Sequence, residues 1–378
     1  MTNPPASRVC FLYLAQAHQV LHSLSVAVEL ARSRPDLDVA IAATSDSVLG
    51  QARAMVEAMG GAPLDWRLLG PAWLRRLGGA EGTPPKLPML AANARRLGGY
   101  EVIVAPERTT AALRMFGVRA KLVYTQHGAG DRAGPFEPRL RKFDLVFAAG
   151  AKQRDRMVAE GLVTPERCAV VGYPKFDLVD ALAADPPRLF ADDRPVVLYN
   201  PHFSRTLGSW ADWGPSILRA FAAQDRYNLI LAPHVRLFGG ADPRTIAELT
   251  PFVDQPGLHI DLGATSASIN MTYTRMADVY LGDVSSQVYE FLRAPKPCVF
   301  LNAHAVSPHG DESYRHWTFG PVVDQVDSVL ATVDRAITSH ADYQSVQIES
   351  FGYTFDLGGG SASVRGADAI ARLATRGR

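Results

Sequence analysis

The chain has little cysteine, no surplus of either charge and no apolar run long enough to cross a bilayer. Its three cysteines in 378 residues are Cys10, Cys168 and Cys298. They stand far apart inside apolar stretches, which excludes a zinc knuckle or a disulfide framework and suits reduced structural thiols in a cytoplasm. Lys+Arg 39 against Asp+Glu 38 leaves a net charge of +1, so overall charge argues against nucleic acid or another polyanion as partner. No apolar run approaches the roughly 20 residues a membrane-spanning helix needs. The first ten residues lack a basic stretch followed by a long apolar core, so no secretory signal is expected. A dinucleotide fingerprint is missing too. The first strand leads into Ala15–Gln19, AQAHQ, without glycine. Gly128, Gly130 and Ala133 formally satisfy G-x-G-x-x-A, but Gly134-Pro135 would end the required helix after one turn.

What is present is a repeated alternation of short apolar runs and helical periods. Length predicts two domains, and the hydrophobic fraction of 47% is ordinary for a globular protein. Apolar runs at Val9–Leu14, Val39–Ala43, Val102–Ala105, Lys121–Tyr124, Leu145–Ala148 and Ala169–Val171 predict parallel strands in a first α/β half. Proline and charge concentrate from Asp185 to Pro195, where the domain junction is expected. Val196–Tyr199, Leu229–Ala232, Leu258–Asp261, Val279–Leu281 and Cys298–Leu301 predict strands in a second half. Val326–Ile337 and Ser363–Ala374 read as closing helices.

Leu64–Leu97 breaks the rhythm. Trp66, Trp73, Leu74 and Leu77 are interleaved with Arg75, Arg76, Lys86, Arg95 and Arg96 among prolines and glycines. Two readings stay open: a basic and aromatic surface resting on anionic head groups, or a solvated helical insertion with a packed Trp face.

Chemistry concentrates where strands end. His127, His202 and His234 each follow a predicted strand, and Gly282–Ser286 forms a turn into the next helix. Ligands of open α/β sheets bind at that edge, and histidine suits proton transfer near neutral pH. Ser285 or Ser286 is a good N-cap, so free N–H groups and two hydroxyls there would make a phosphate site; an ordinary capped helix is the plainer alternative. His18 and His22 read as capping or packing residues. Arg132, Lys175, Arg205 and Arg236 lie close in sequence to these motifs and can counter a diphosphate.

In order along the chain, His127-Gly128, Gly172–Asp177 (GYPKFD), Asn200–Arg205 (NPHFSR), His234, Gly282–Ser286 (GDVSS) and Gly320-Pro321 resemble the motif series of the CDP-glycerol glycerophosphotransferase family of teichoic-acid polymerases. The match runs from about Lys121 to Asp324, and the first hundred residues are unmatched. There are departures. Asn200-Pro201-His202 stands where the family has Ala-Pro-Thr, Arg205 is displaced, Lys175 replaces arginine, Val235 replaces proline, and Val284 replaces tyrosine. Phosphate binding tolerates these changes better than donor identity does.

The resemblance implies an α/β GT-B fold, two Rossmann-like domains facing each other across a cleft. Residues 1–185 would form the acceptor domain, 186–350 the nucleotide-donor domain, and 351–378 a closing helix. It implies that His127 deprotonates the acceptor hydroxyl and that His234 binds donor phosphate or helps CMP leave. Asp283, Ser285 and Ser286 would hold the diphosphate. Gly128, Arg132, Lys175, His202, Arg205 and Arg236 complete the substrate-binding set. Glu290 would hold a donor ribose or otherwise be a helix-surface charge. The expected reaction moves an alditol phosphate from a CDP-linked donor to a glycan or lipid-linked acceptor, in the cytoplasm or at the cytoplasmic face of the membrane. No metal and no cofactor beyond that donor is implied. The alternatives are a UDP- or GDP-sugar transferase, a UDP-N-acetylglucosamine 2-epimerase, and a non-catalytic nucleotide-binding protein.

Overall fold

The computed structural model describes residues 7–14, 17–78, 83–131, 136–183, 185–238, 246–263 and 265–375. The chain divides into two compact units. The first comprises Met1–Gly128, Gly134–Ala183 and Gly352–Arg378; the second comprises Ala129–Ala133 and Ala184–Phe351. A short loop after His127 groups with the second unit, and the C-terminal stretch groups with the first.

The first unit holds a seven-stranded sheet of β1 (Ser7–Tyr13), β2 (Leu37–Ala43), β3 (Asp65–Leu68), β4 (Val102–Ala105), β5 (Lys121–Tyr124), β6 (Leu145–Ala148) and β7 (Cys168–Val170). The order is β3-β2-β1-β4-β5-β6-β7, with every pairing parallel. Its central strands are apolar without alternation because helices cover both faces. Phe11 and Leu12 are adjacent in β1 and both 0% exposed. One covering layer pairs the helix Leu24–Ser33 with the C-terminal helix Ala362–Thr375. Small residues allow their close approach: a Cβ at Gly366 would lie 3.1 Å from both methyls of Val26.

The region 64–97 is neither a purely helical insertion nor a purely exposed surface. Asp65–Leu68 is an edge strand of the sheet, paired with β2. Four residues with alternating exposure leave no apolar run to betray it. The helices Ala72–Arg76 and Lys86–Leu97 follow. Leu74, Met89, Leu90 and Leu97 join the core, whereas Trp73 and Leu77 are each 60% exposed.

The second unit holds six parallel strands: β8 (Val196–Asn200), β9 (Asn228–Leu231), β10 (Leu258–Ile260), β11 (Val279–Gly282), β12 (Cys298–Leu301) and β13 (Val322–Val323). Their order is β10-β9-β8-β11-β12-β13. Ahead of β11 lie two short helices, Ser266–Ile269 and Thr272–Met276, separated because Met271 between them takes a left-handed φ of 66°. The helix His340–Thr354, which no motif announced, inserts the Gln347 amide between the carbonyls of Lys296 and Phe319.

Each sheet reverses its winding once, between β1 and β4 and between β8 and β11. Strand ends flanking such a reversal splay their connections apart and leave a crevice.

The return of the C-terminal stretch to the first unit rests on Gly172 and Asp177. Asp177 accepts from the N–H and the hydroxyl of Ser363, at 2.6 and 2.7 Å. Gly172 has φ +88°, and a Cβ there would lie 2.7 Å from the Asp356 carbonyl oxygen and would also strike the Arg365 guanidinium. We expect Gly172→Ala to lower stability by about 1–3 kcal/mol. Gly161→Ala, at φ +62° with open space around it, should cost less; thermal unfolding of both variants checks this.

Candidate active site

In the first unit the polar groups gather at the β1/β4 reversal and the neighbouring end of β5. Glu107, just past β4 and 8% exposed, accepts from the Gln19 amide and pairs with Lys86 Nζ at 3.0 Å. Burial pushes its carboxyl up, but the Gln19 hydrogen bond and the Lys86 charge outweigh that, and its pKa falls below the usual value. A buried carboxylate thus stays ionised beside His127.

His127 is solvent-accessible, and its Nδ1 lies 2.8 Å from the Pro106 carbonyl oxygen. A carbonyl only accepts, so Nδ1 carries the proton in the neutral ring and Nε2 carries the lone pair. The surrounding protein lowers its pKa below 6.5 through desolvation, partly opposed by the Pro106 bond and Glu107. The ring is therefore neutral at pH 7 with its basic nitrogen specified. Gln126 before it takes a left-handed φ of 60°. Its side chain donates to the Phe147 carbonyl, while Gln153 donates to Gln126 Oε1 and to the Gly128 carbonyl. Those bonds hold the turn that presents the histidine.

Lys175 lies in the helix Pro174–Ala181 and is 5% exposed. Its charge, together with burial, keeps the His22 pKa well below 6.5. His22 packs edge-on against Tyr173, ring centroids 5.4 Å apart. Arg132 lies outside the described residues.

In the second unit the ends of β8, β9 and β11 are laced together. Asn200 donates to the Ala232 carbonyl at 2.6 Å and accepts from Tyr280 at 3.1 Å. Above them, His202, Phe203 and His234 form a ring cluster with centroids 4.4–5.5 Å apart. The Arg236 guanidinium stacks 4.3 Å over Phe203. His234 Nδ1 accepts the Arg236 N–H at 3.2 Å, so Nε2 is the nitrogen bearing the proton. His202 Nδ1 accepts the Ser204 N–H at 3.1 Å, giving the same tautomer. This is opposite to the arrangement at His127.

Three expectations need correction. Asp283 does not reach outward to a diphosphate. It is 1% exposed, and its Oδ2 accepts backbone N–H groups of His202 at 2.7 Å and Ser209 at 2.9 Å. It is the tie that folds the histidine-bearing loop onto β11. The helix after Ser286 spans only Gln287–Phe291, and the Ser286 side chain at its N-cap position does not cap it. So short a helix has little dipole to offer an anion. What remains at the turn are the half-buried hydroxyls, of which Ser285 Oγ accepts the Gln287 N–H at 3.3 Å. Glu290 is not a surface charge: at 7% exposure it lines a recess of about 10 Å³, room for about one water, with Ser268, Tyr273, Thr274 and Gln287. Arg205 sits on an exposed turn. Among the described residues, no group of three or more His, Cys, Asp or Glu is gathered as a metal site.

Sequence reading passed over Glu107, Phe203 and Asp131. Glu107 follows a predicted strand as the histidines do, which was the available signal. Phe203 lies between two motif residues. Asp131 closes the glycine loop after His127, and its partner is 158 residues away.

Burial lifts the Asp283 pKa from 3.8 to about 7, against the pull of its two N–H partners and His304. The folded state then holds a proton between pH 4 and 7 that the unfolded chain has released. That contribution to stability is complete below about pH 4 and is lost as pH rises through 7. We expect Asp283→Asn to flatten the fall in stability across that window; denaturant titrations at pH 4.5, 6 and 7.5 measure it.

No family model matches the sequence, and no curated protein matches it. Solved structures do. The wall teichoic acid polymerase TagF aligns at 13% identity over 98% of this chain and 89% of its own, with a TM-score of 0.65. UDP-GlcNAc 2-epimerase from Neisseria meningitidis, bound to UDP-GlcNAc, aligns at 10% identity over 97% and 99%, with a TM-score of 0.58. A putative UDP-N-acetylglucosamine 2-epimerase from Listeria monocytogenes gives 11%, 97% and 95%, with a TM-score of 0.60. At these identities the likeness establishes the fold: an α/β chain of GT-B type with two Rossmann-like domains.

Proposed function

We propose that the protein is a transferase that moves an alditol phosphate from a CDP-linked donor to a hydroxyl of a glycan or lipid-linked acceptor and releases CMP. The observation that carries the reading is the pair of opposite histidine tautomers. His127 offers a lone pair on Nε2, as a base must, and His234 offers Nε2–H, as a phosphate donor must. The acceptor oxygen attacks the phosphorus bearing the alditol and passes its proton to His127 Nε2. The bond from that phosphorus to the CMP oxygen breaks, and the electron pair leaves with CMP. His234 and Arg236 supply hydrogen bonds and positive charge to the phosphates, together with the hydroxyls of Ser285 and Ser286. Glu107 steadies His127 electrostatically as it becomes protonated. Phosphoryl transfer is largely positioning and charge stabilisation, which such a set can provide. TagF has been solved with two different histidines replaced singly, one of these variants after a soak with CDPG, which fits a histidine-centred reading.

A UDP-linked sugar is the second reading. It is favoured by the match to UDP-GlcNAc 2-epimerases over 95–99% of their length. Incubation with CDP-glycerol, UDP-GlcNAc and other UDP-sugars, scored for CMP, UDP or epimer, separates the two.

We further propose that Trp73 and Leu77, one helical turn apart and exposed beside Arg76, rest on an anionic bilayer where a lipid-linked acceptor would reside. No helix of the described residues is long and apolar enough to span a membrane.

With CDP-glycerol, His127→Gln should lower kcat/KM by about 10²–10⁴-fold. The wild-type kcat/KM should hold level through neutral pH and fall only as pH drops through a value below 6.5, because desolvation lowers the His127 pKa; turnover that survives the substitution refutes the assignment. Vesicles of phosphatidylglycerol, not phosphatidylcholine, should sediment the protein, and Trp73→Ala with Leu77→Ser should abolish this.

A further inference from the structure

The loop that leaves His127 carries contacts that the proposed reaction does not use. Residues 129–131 belong to no helix or strand. Tyr289 donates its hydroxyl to Asp131 Oδ2 at 2.5 Å. Both residues are buried, at 1% and 7% exposure. Burial and the Asp131 carboxylate push the Tyr289 pKa well above 10, so the phenol remains the donor through the neutral range. The ring is held edge-on against Phe319, centroids 5.5 Å apart at 84°. Next to this bond, Gly130 lies flat on the serine turn: a Cβ at 130 would fall 2.9 Å from Ser286 Cβ and 3.2 Å from its Cα. Ser286 immediately precedes the helix Gln287–Phe291, and Tyr289 lies in its first turn. One short element therefore receives both contacts.

Plain packing would be served as well by an apolar pair, since a buried carboxylate costs desolvation. A short charge-assisted hydrogen bond instead specifies position and direction. We infer that Asp131 and Tyr289 are a positioning pair that seats Ala129–Asp131 on the Ser285–Ser286 turn and so fixes the backbone leaving His127. The catalytic consequence rests on the transferase reading; the seat itself does not. With the bond removed, the serine turn keeps its hydroxyls for the donor, while the segment joined to the base loses a directional contact.

The test uses the full chain with Asp131→Ala, Asp131→Asn and Tyr289→Phe. Amide exchange of residues 129–131, CMP affinity by calorimetry, melting temperature, and kcat and KM for the donor are measured together. Asp131→Ala and Tyr289→Phe should speed exchange at Gly130 and Asp131 and lower kcat on the order of 10- to 100-fold, with KM for the donor within about twofold. Asp131→Asn should recover most of kcat, because its amide oxygen still accepts from the phenol. Unchanged exchange overturns the inference. So does a loss of CMP affinity and melting temperature in proportion to kcat, which would make the pair a plain stability contact. If the wild-type chain turns over no nucleotide-linked donor, the transferase reading fails, and the exchange measurement still decides whether the seat exists.

Discussion

One buried carboxylate holds the second unit's chemistry in place. Asp283 follows β11, and its Oδ2 takes the N–H groups of His202 and Ser209, two points on the loop that follows β8. Without it, nothing in the sheet ladder would bring that loop across to β11, because strands pair only as far as Asn200 with Gly282. The loop is tight in consequence. A Cβ at Gly208 would collide with the His202 carbonyl and lie 2.8 Å from that of Ser204, so the residue must be glycine for the turn to close. His304 Nε2 lies 3.0 Å from the Gly208 carbonyl on the outer side. On the tied loop the His202 and Phe203 rings pack together, and His234 from the β9 end completes the cluster. The polar group that anchors this geometry is not the group that would touch a ligand.

The same division of labour runs through the first unit. Glu107 is held ionised by Gln19 and Lys86 at the β1/β4 reversal, and the carbonyl of its neighbour Pro106 fixes the His127 tautomer. A backbone carbonyl is a reliable device for this purpose, since it cannot donate and cannot change its charge. At His234 the device is inverted. A backbone N–H, which cannot accept, forces the proton to the other nitrogen. Two histidines of similar intrinsic pKa are thereby given different hydrogen-bonding roles by main-chain groups alone.

Much of the fold was legible because parallel strands buried on both faces must be nearly continuous in apolar residues. Val9–Tyr13, Val279–Leu281 and Cys298–Leu301 announce themselves in this way. The edge strand Asp65–Leu68 does not, since one side of each residue pair meets solvent and the run is only four residues. Site residues show the same contrast. That His127, His202 and His234 close strands could be read from order along the chain. That Asp283 points inward could not, because an aspartate after a strand is equally at home facing a ligand or tying a loop. Burial decides between these roles, and burial is a property of the packed chain. Asp131 was out of reach for a related reason: its meaning lies in Tyr289, far away in sequence.

The departures from the teichoic-acid polymerase motif series bear on donor identity in a specific way. The substituted positions divide into those that fold the loop and those that carry hydrogen-bonding groups. Pro201 is retained, and its carbonyl receives the His234 N–H at 3.0 Å, so the path of the loop does not depend on the residue that follows it. His202 in place of threonine adds a buried ring that packs on Phe203 and His234. Val284 in place of tyrosine turns a would-be polar group into core, at 4% exposure. The net change trades hydroxyl for imidazole while leaving Ser285 and Ser286 half-buried at the turn. Imidazole N–H and hydroxyl groups both serve phosphate oxygens, which every nucleotide-activated donor carries. They do not read a base. On the proposed reading, residues outside the motif series would recognise the donor's base and sugar.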